Sequence, residues 1–187
     1  MLKHIIFKST AILFFLTMVI FTVVQVLFRT QEYFQISQFQ YLIATAVSNA
    51  FVITTLYAVM AAYNMIKQTN HPNLHFFKVF GLCFSPGVLA GFMSLIAIFA
   101  FFYYVQPDWI EQFKNEYLDY SLLDAKEAGD YESVAKVINS EAVRNTNILN
   151  IRTFTLISLV IAFFNFSLGI MMALLWKVRT TSSKPNA

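Results

Sequence analysis

The sequence predicts an all-α integral membrane protein, a four-helix bundle with an extramembrane helical hairpin between its third and fourth helices. Of the 187 residues, 58% are hydrophobic and 12% are charged, and this charged share is about half of that in a typical soluble domain. Four apolar runs are also each long enough to cross a bilayer. We treat residues 1–187 as a single membrane domain whose spans are approximately residues 10–28, 39–65, 79–105 and 154–176.

The first apolar run, Thr10–Phe28, follows a basic segment that contains Lys3 and Lys8. A cleaved signal peptide also begins with basic residues, but its apolar core is shorter and a small-residue cleavage site follows it. This core has about 19 residues, which as a helix extend about 29 Å, and no such site follows. The pattern favours an uncleaved first transmembrane helix.

The second apolar run, Phe39–Met65, contains more polar side chains than the first, among them Asn49 and Thr55. Side chains of this kind can line a path for a small solute, or they can form hydrogen bonds between helices. We favour the second interpretation and expect Asn49 to face another helix.

Candidate metal and redox residues are few. His71 and His75 are four residues apart, but Pro72 lies between them and no third ligand is near in the sequence. Cys83 is the only cysteine and lies within an apolar run, where a thiol usually serves as a small packing group. We therefore predict no metal site and no cofactor.

The third apolar run, Val79–Val105, combines small residues with a proline. Small residues four positions apart allow two helix backbones to approach closely within a membrane. Pro86 lacks a backbone donor and is predicted to kink this helix. The candidate helix-packing residues of this run are Gly81, Ser85, Gly87 and Gly91.

The third run leaves the membrane through a cluster of aromatic residues, as is typical of the membrane–water interface. Pro107 ends the run, and Asp108 with Glu111 three residues later has the spacing of a helix cap. Pro107, Asp108 and Trp109 form a candidate recognition junction at this outer surface.

Residues 106–152 hold nine of the ten acidic residues and five basic ones, a net charge of −4. Apolar residues recur there at helical spacing on both sides of Gly129, which predicts an acidic amphipathic helical hairpin. The two stripes are Trp109, Phe113, Tyr117, Tyr120 and Leu123, and then Tyr131, Val134, Ile138, Ala142 and Leu149.

The fourth apolar run, Phe154–Trp176, places small and polar residues along one helix face. This face is a candidate packing surface with one amide among its members, and Trp176 is expected at the membrane interface. Its candidate packing residues are Ser158, Ala162, Asn165 and Gly169.

Basic residues predict the orientation of the spans. With both termini in the cytoplasm, the short outer connector holds only Arg29 and the acidic segment 106–152 faces the periplasm. This bias follows the rule that cytoplasmic segments are enriched in Lys and Arg. The inner segments then contain Lys3, Lys8, Lys67, Lys78, Lys177, Arg179 and Lys184.

The order of the four runs, the phrase FFKVFGLCFSPGVLAG entering the third and the phrase FFYYVQPDWIEQF leaving it resemble domain-of-unknown-function family 4199. The resemblance covers roughly residues 10–179. It implies a small bacterial inner-membrane protein of a kind found mainly in Bacteroidetes-type bacteria. The connector after the second run is poorer in Gly and charge than the family pattern. The family carries no known activity, cofactor or catalytic residue, so the resemblance implies no site residue.

The four runs contain no Asp, Glu, Lys or Arg, which argues against a proton- or ion-coupled carrier. No phosphate-binding glycine loop, zinc-protease motif or nucleophile elbow occurs either. We therefore predict a scaffold or accessory subunit without catalytic residues. Its partners would be the lipid bilayer and either a second copy or other membrane proteins, with no role for nucleic acid.

Two alternatives remain open. One is a passive channel or carrier for a neutral small solute, which would need an oligomer because four helices are few for a pore. The other is an enzyme acting on envelope lipids through Asp108 and Glu111. The polar residues proposed to line the channel are Gln25, Asn49, Thr55 and Asn165.

Overall fold

The computed structural model describes residues 2–29, 48–71, 74–105, 107–145, 147 and 150–182, and within these ranges it is all-helical. The α-helices are α1 (Leu2–Arg29), α2 (Thr54–Gln68), α3 (Phe76–Ala100), α4 (Pro107–Ala128), α5 (Tyr131–Ile138), α6 (Glu141–Arg144) and α7 (Ile151–Ser182). Two π-helical segments, Ser48–Ile53 and Phe101–Val105, extend the start of α2 and the end of α3.

Three helical stretches are long and apolar enough to cross a membrane. They are Leu2–Val24, Phe76–Val105 and Ile151–Ser182. The predicted second span is only partly covered, since residues 39–47 lie outside the described residues and the rest forms Ser48–Ile53 and α2. α1 and α7 extend beyond the predicted apolar runs at both ends. A helix that continues past its apolar run keeps the backbone N–H and C=O groups of that run hydrogen-bonded within the helix.

α3 is the central helix of the bundle. It packs against α1, α2 and α7, whereas α1 and α2 make few contacts with each other. Near the middle of α3, Ala90 packs with Leu13 of α1 and Tyr57 of α2. Near its start, α2, α3 and α7 form a larger apolar cluster of Ala61, Met65, Val79, Cys83, Leu168, Met172, Ala173 and Trp176.

Large apolar side chains remain exposed on the outer faces of these helices. Phe15 of α1, Val59 of α2 and Phe163 of α7 have 66%, 61% and 75% of their surface uncovered. Exposure on this scale is unusual for a chain dissolved in water, but it suits helices whose outer faces contact lipid acyl chains.

Helices α4 to α6 form an arm at the end of the bundle where α3 finishes. α4 begins at Pro107, a common position for proline because the first N–H groups of a helix have no acceptor within the helix. Since the helix starts at Pro107, Asp108 lies inside its first turn and does not cap it. After α4, Gly129 has φ +80°, a left-handed conformation that glycine adopts without strain, and α5 then packs back on α4.

The buried face of α4 differs from the predicted stripe. Leu118 and Ala125 are buried, whereas Leu123 is 62% exposed. Leu118 and Ala125 are seven residues apart, so they lie on one face of α4. α5, whose buried residue is Ile138, packs against α4. The side chains of Trp109, Phe113, Tyr117 and Tyr120 lie outside the described part of the structure.

One polar contact joins the arm to the end of α3, and a second joins the two ends of the arm to each other. The Asn147 amide Nδ2 donates to the Tyr103 hydroxyl at 3.4 Å, and Lys114 Nζ of α4 donates to the backbone carbonyl of Arg144. α7 then begins with Asn150 as its cap, where the Oδ1 atom accepts from the Thr153 backbone N–H at 2.9 Å. These contacts hold both ends of the arm near the end of α3.

Candidate functional site

Pro86 lies inside α3 and is buried. Because proline has no backbone N–H, the carbonyl of Leu82, four residues earlier, lacks its usual helical donor. The amide of Asn64 on α2 supplies the missing donor, with Nδ2 3.1 Å from the Leu82 oxygen. A neighbouring helix thus satisfies the carbonyl that Pro86 leaves free, as membrane helices require.

Asn64 also connects this carbonyl to α1. Its Oδ1 atom accepts a hydrogen bond from the Ser9 hydroxyl at 3.3 Å, and Asn64 itself is 1% exposed. We call the chain from Ser9 through Asn64 to the Leu82 carbonyl the Pro86 relay. One turn away, the Cys83 thiol donates to the Ala61 carbonyl at 3.5 Å. The relay joins three helices through uncharged groups.

A second polar contact joins the same helices deeper in the bundle. The hydroxyls of Thr17 on α1 and Tyr57 on α2 are 3.4 Å apart, and both residues are buried. Ser94 of α3 is also buried, at 3% exposed. Both polar contacts therefore lie where α1, α2 and α3 meet.

α3 and α7 meet along a line of glycines. A Cβ atom added at Gly87 would lie 2.7 Å from Cγ of Asn165 and 3.2 Å from Cδ1 of Tyr57. At Gly91 it would lie 2.6 Å from Cγ2 of Ile161. Distances below 3.0 Å are too short for two carbon atoms, so a side chain at either position would force Asn165 or Ile161 to move. We call Gly87, Gly91 and their α7 partners the glycine seam.

The same seam includes Gly169 on α7, where an added Cβ would lie 3.0 Å from Cβ of Phe84. Phe84 stacks on Phe80 with ring centroids 5.2 Å apart, and Phe166 meets both rings edge-on. The absence of a side chain at Gly169 thus gives the aromatic side chains of α3 room against α7.

The predicted packing residues have different surroundings. Asn165 and Ser158 are buried, and Ser85 and Ala162 are half-buried. Gly81 has open space around it, with no atom within 4 Å of an added Cβ. The structure therefore brings Gly87, Gly91, Asn165 and Gly169 into the seam, while Gly81 lies away from it.

Asn165 is the polar side chain at the centre of the seam and is 2% exposed. Its Nδ2 atom donates to the Ile161 carbonyl one turn earlier on α7, at 2.9 Å. Its Oδ1 atom is buried against Gly87 with no hydrogen-bond partner among the described residues. This arrangement places the amide in a fixed position between α3 and α7.

A model of the DUF4199 family, described as a protein of unknown function, matches residues 9–178. The chain belongs to the DUF4199 family. Comparisons with curated proteins and with solved structures give no match. The family match includes every residue of the Pro86 relay and of the glycine seam, so both features lie within the DUF4199 region.

Other predicted site residues of this DUF4199 chain are not brought together. Within the single chain, Asn49 and Thr55 are exposed whereas Asn165 is buried between α3 and α7. Pro107 and Asp108 are exposed at the start of α4. The side chains of Gln25 and Trp109 lie outside the described residues, and the part of the chain that is described holds no group of three metal-ligating side chains.

Trp176, which we expect at the membrane interface, packs inside the DUF4199 bundle. It is 3% exposed, and its Nε1 atom donates to the Gln68 carbonyl at 3.0 Å. Gln68 is the last residue of α2, and its carbonyl also accepts from the His71 backbone N–H at 3.0 Å. The indole is therefore a second donor to this carbonyl and joins α7 to the end of α2.

The sequence predicts the acceptor of the Pro86 relay but not its donor. A proline inside an apolar run implies a free carbonyl four residues earlier, and that carbonyl belongs to Leu82. Which polar residue of another helix supplies the donor depends on how the helices rotate and slide against each other. Asn64 therefore could not be distinguished by sequence from Asn49.

Proposed function

We propose that this DUF4199 chain is a four-span protein of the bacterial inner membrane that acts without catalysis, as a scaffold or accessory subunit. In this proposal the membrane helices form a rigid base, and the acidic arm of residues 107–145 is presented on the periplasmic side. Both termini lie in the cytoplasm. Segment 39–53 completes the second span together with α2.

Opposite charge at the two ends of the molecule is the observation that carries this proposal. The relay and the Trp176–Gln68 bond place the start of α1, the end of α2 and the end of α7 at one end. That end carries exposed lysines at positions 3, 8, 67, 78 and 177. Across about 45 Å of α3 and its π-helical extension, the arm exposes Asp119, Asp124, Glu127, Asp130 and Glu132.

The charge distribution supports a docking role for the arm. Its exposed carboxylates lie on two helices that pack on each other, and α4 also packs against the π-helical extension of α3. They therefore form an ordered acidic surface and not a loose tail. Acidic surfaces select partners with basic surfaces and increase the rate of association. The partner we propose is another membrane protein with a basic periplasmic face.

Cysteine labelling tests the orientation. In a Cys83→Ala background, Asp124→Cys is expected to react in intact cells with a maleimide that cannot cross the inner membrane. Thr181→Cys, exposed at the far end of α7, is expected to react only after the cells are permeabilised. Labelling of Thr181→Cys in intact cells, or protection of Asp124→Cys, contradicts the proposed orientation.

Affinity purification tests the docking role. A tag on the C-terminus should recover a stoichiometric partner in mild detergent, and Asp119→Asn/Asp124→Asn/Glu127→Gln should reduce that recovery severalfold at low salt. The matched control, Lys126→Gln/Lys136→Gln, changes the charge of the same arm in the opposite direction and should retain the partner. Recovery of the monomer alone in several detergents contradicts the scaffold proposal.

A further inference from the structure

A groove opens between α1 and α2 at the basic end of the bundle. Both helices pack on α3 but contact each other little, and the space between them forms a cavity of about 510 Å³. The volume lies within the range of sites that hold small organic ligands. The groove lies at the opposite end of α3 from the arm, and it borders the Pro86 relay through Ser9 and Asn64.

The groove has one cationic end. His4 and Lys8 of α1 and Lys67 of α2 line it, and no carboxylate occurs among the described residues of the lining. Lys8 and Lys67 come from different helices, so two positive charges face one space without a neutralising partner in that lining. Such an arrangement suits an anion, and phosphate is the anion that lysines near a membrane surface usually meet.

The part of the groove that lies deeper in the bundle is apolar. Ile12 of α1 and Leu56 and Val59 of α2 line it. From His4 to Ile12 the helix rises about 12 Å, and from Lys67 to Leu56 about 16 Å. The groove therefore changes from cationic to aliphatic over the distance that separates a lipid headgroup from the upper part of its acyl chains.

We propose that this groove binds one anionic phospholipid. Its phosphate group lies between Lys8 and Lys67, and one acyl chain runs along Ile12, Leu56 and Val59. A free phosphate ion would satisfy the lysines but leave the aliphatic wall uncovered, whereas a zwitterionic lipid would bring a second positive charge toward the lysines. Matching both ends of the groove requires a lipid with a net negative headgroup.

A bound lipid would also join two helices that otherwise touch little. Asn64 and Ser9 line the same groove, so the lipid would lie against the first two members of the Pro86 relay. A ligand that binds the folded bundle and not the unfolded chain stabilises the bundle. Phosphatidylglycerol is therefore expected to raise the unfolding temperature of the detergent-solubilised full chain more than phosphatidylcholine does.

Native mass spectrometry of the full-length protein, titrated with either lipid in mixed micelles, tests the proposal. Lys8→Gln/Lys67→Gln is expected to weaken the binding of phosphatidylglycerol by about 10-fold to 30-fold. The matched control, Lys177→Gln/Arg179→Gln, removes two charges from the same end of the molecule but outside the groove. It is expected to bind as the unchanged protein does.

A second pair of variants tests the apolar wall without changing charge. Val59→Trp places a bulky ring in the groove and should reduce lipid binding, whereas Val160→Trp, on the exposed face of α7, should not. Equal loss in groove and control variants, or equal binding of phosphatidylglycerol and phosphatidylcholine, overturns the proposal. Full displacement of the lipid by millimolar inorganic phosphate also overturns it and indicates a free-anion site.

These outcomes do not depend on the proposed scaffold role. The groove and the arm lie at opposite ends of α3, and lipid binding needs no protein partner. Failure of the partner purification with normal lipid binding would leave the groove proposal intact, and the reverse result would leave the docking proposal intact.

Discussion

Gly87→Ala is expected to destabilise the bundle by about 1–3 kcal/mol, the usual effect of forcing an extra methyl group into a packed core. The added Cβ would overlap the Asn165 side chain, with Cγ at 2.7 Å, and press on Tyr57. Asn165 cannot easily move away, because it is buried and its amide donates to the Ile161 carbonyl. Reversible unfolding in mixed micelles with increasing sodium dodecyl sulfate measures the change.

Gly81→Ala is the matched control on the same helix. Nothing lies within 4 Å of the added Cβ there, so this variant should be neutral or slightly stabilising, by up to about 1 kcal/mol from helix propensity. The two substitutions are chemically identical, and only their surroundings differ. An equal loss of stability in both variants contradicts the close packing of Gly87 in the glycine seam.

A double-mutant cycle identifies Asn165 as the cause of the clash. Asn165→Ala removes the atoms that the new Cβ would overlap, so Gly87→Ala should cost less in that background, with a coupling of about 1 kcal/mol or more. Tyr57 remains in place and should retain part of the effect. Additive effects of the two substitutions would assign the loss to something other than this contact.

Asn64→Leu is expected to reduce stability by about 1–3 kcal/mol, more than the roughly 0.6 kcal/mol typical of a hydrogen bond between membrane helices. The larger effect follows from Pro86, because the Leu82 carbonyl has no donor within its own helix and would be left unpaired in the hydrocarbon. Asn49→Leu, at an exposed asparagine before α2, is the control and should change the free energy of unfolding little.

Replacing Pro86 tests whether the unpaired Leu82 carbonyl explains the effect of Asn64→Leu. In a Pro86→Ala background, the backbone N–H of the new alanine can bond to the Leu82 carbonyl, so Asn64→Leu should lose most of its effect. The Ser9 hydroxyl also loses its acceptor, but it can bond to a carbonyl of its own helix. If Asn64→Leu costs the same in both backgrounds, the relay does not compensate for the proline.

The sequence was sufficient to predict an all-helical membrane protein and to indicate its family. Long apolar runs predicted helices of spanning length, and three such stretches are present within the described residues. The phrases around Pro86 and Pro107 indicated the family whose model matches residues 9–178. Both predictions depend on local patterns, which a single sequence displays directly.

Contacts between helices were harder to predict from the sequence. The spacing of Gly81 and Ser85 was as favourable as that of Gly87 and Gly91. An added Cβ atom would nevertheless overlap α7 side chains at both Gly87 and Gly91, whereas it would meet no atom within 4 Å at Gly81. The position of Trp176 predicted an interface residue, but neither its burial nor its bond to the Gln68 carbonyl could be predicted from the sequence. Such outcomes depend on the rotation of each helix about its axis, which composition and spacing do not determine.

The bond between Asn64 and the Leu82 carbonyl has a consequence for how the protein is made. α3 inserted alone would carry an unpaired carbonyl at the turn that contains Pro86, and its donor is on the helix synthesised just before it. Only a few residues separate the end of α2 from the start of α3. We therefore expect α3 to pair with α2 early in biosynthesis, because that pairing supplies the donor for the Leu82 carbonyl.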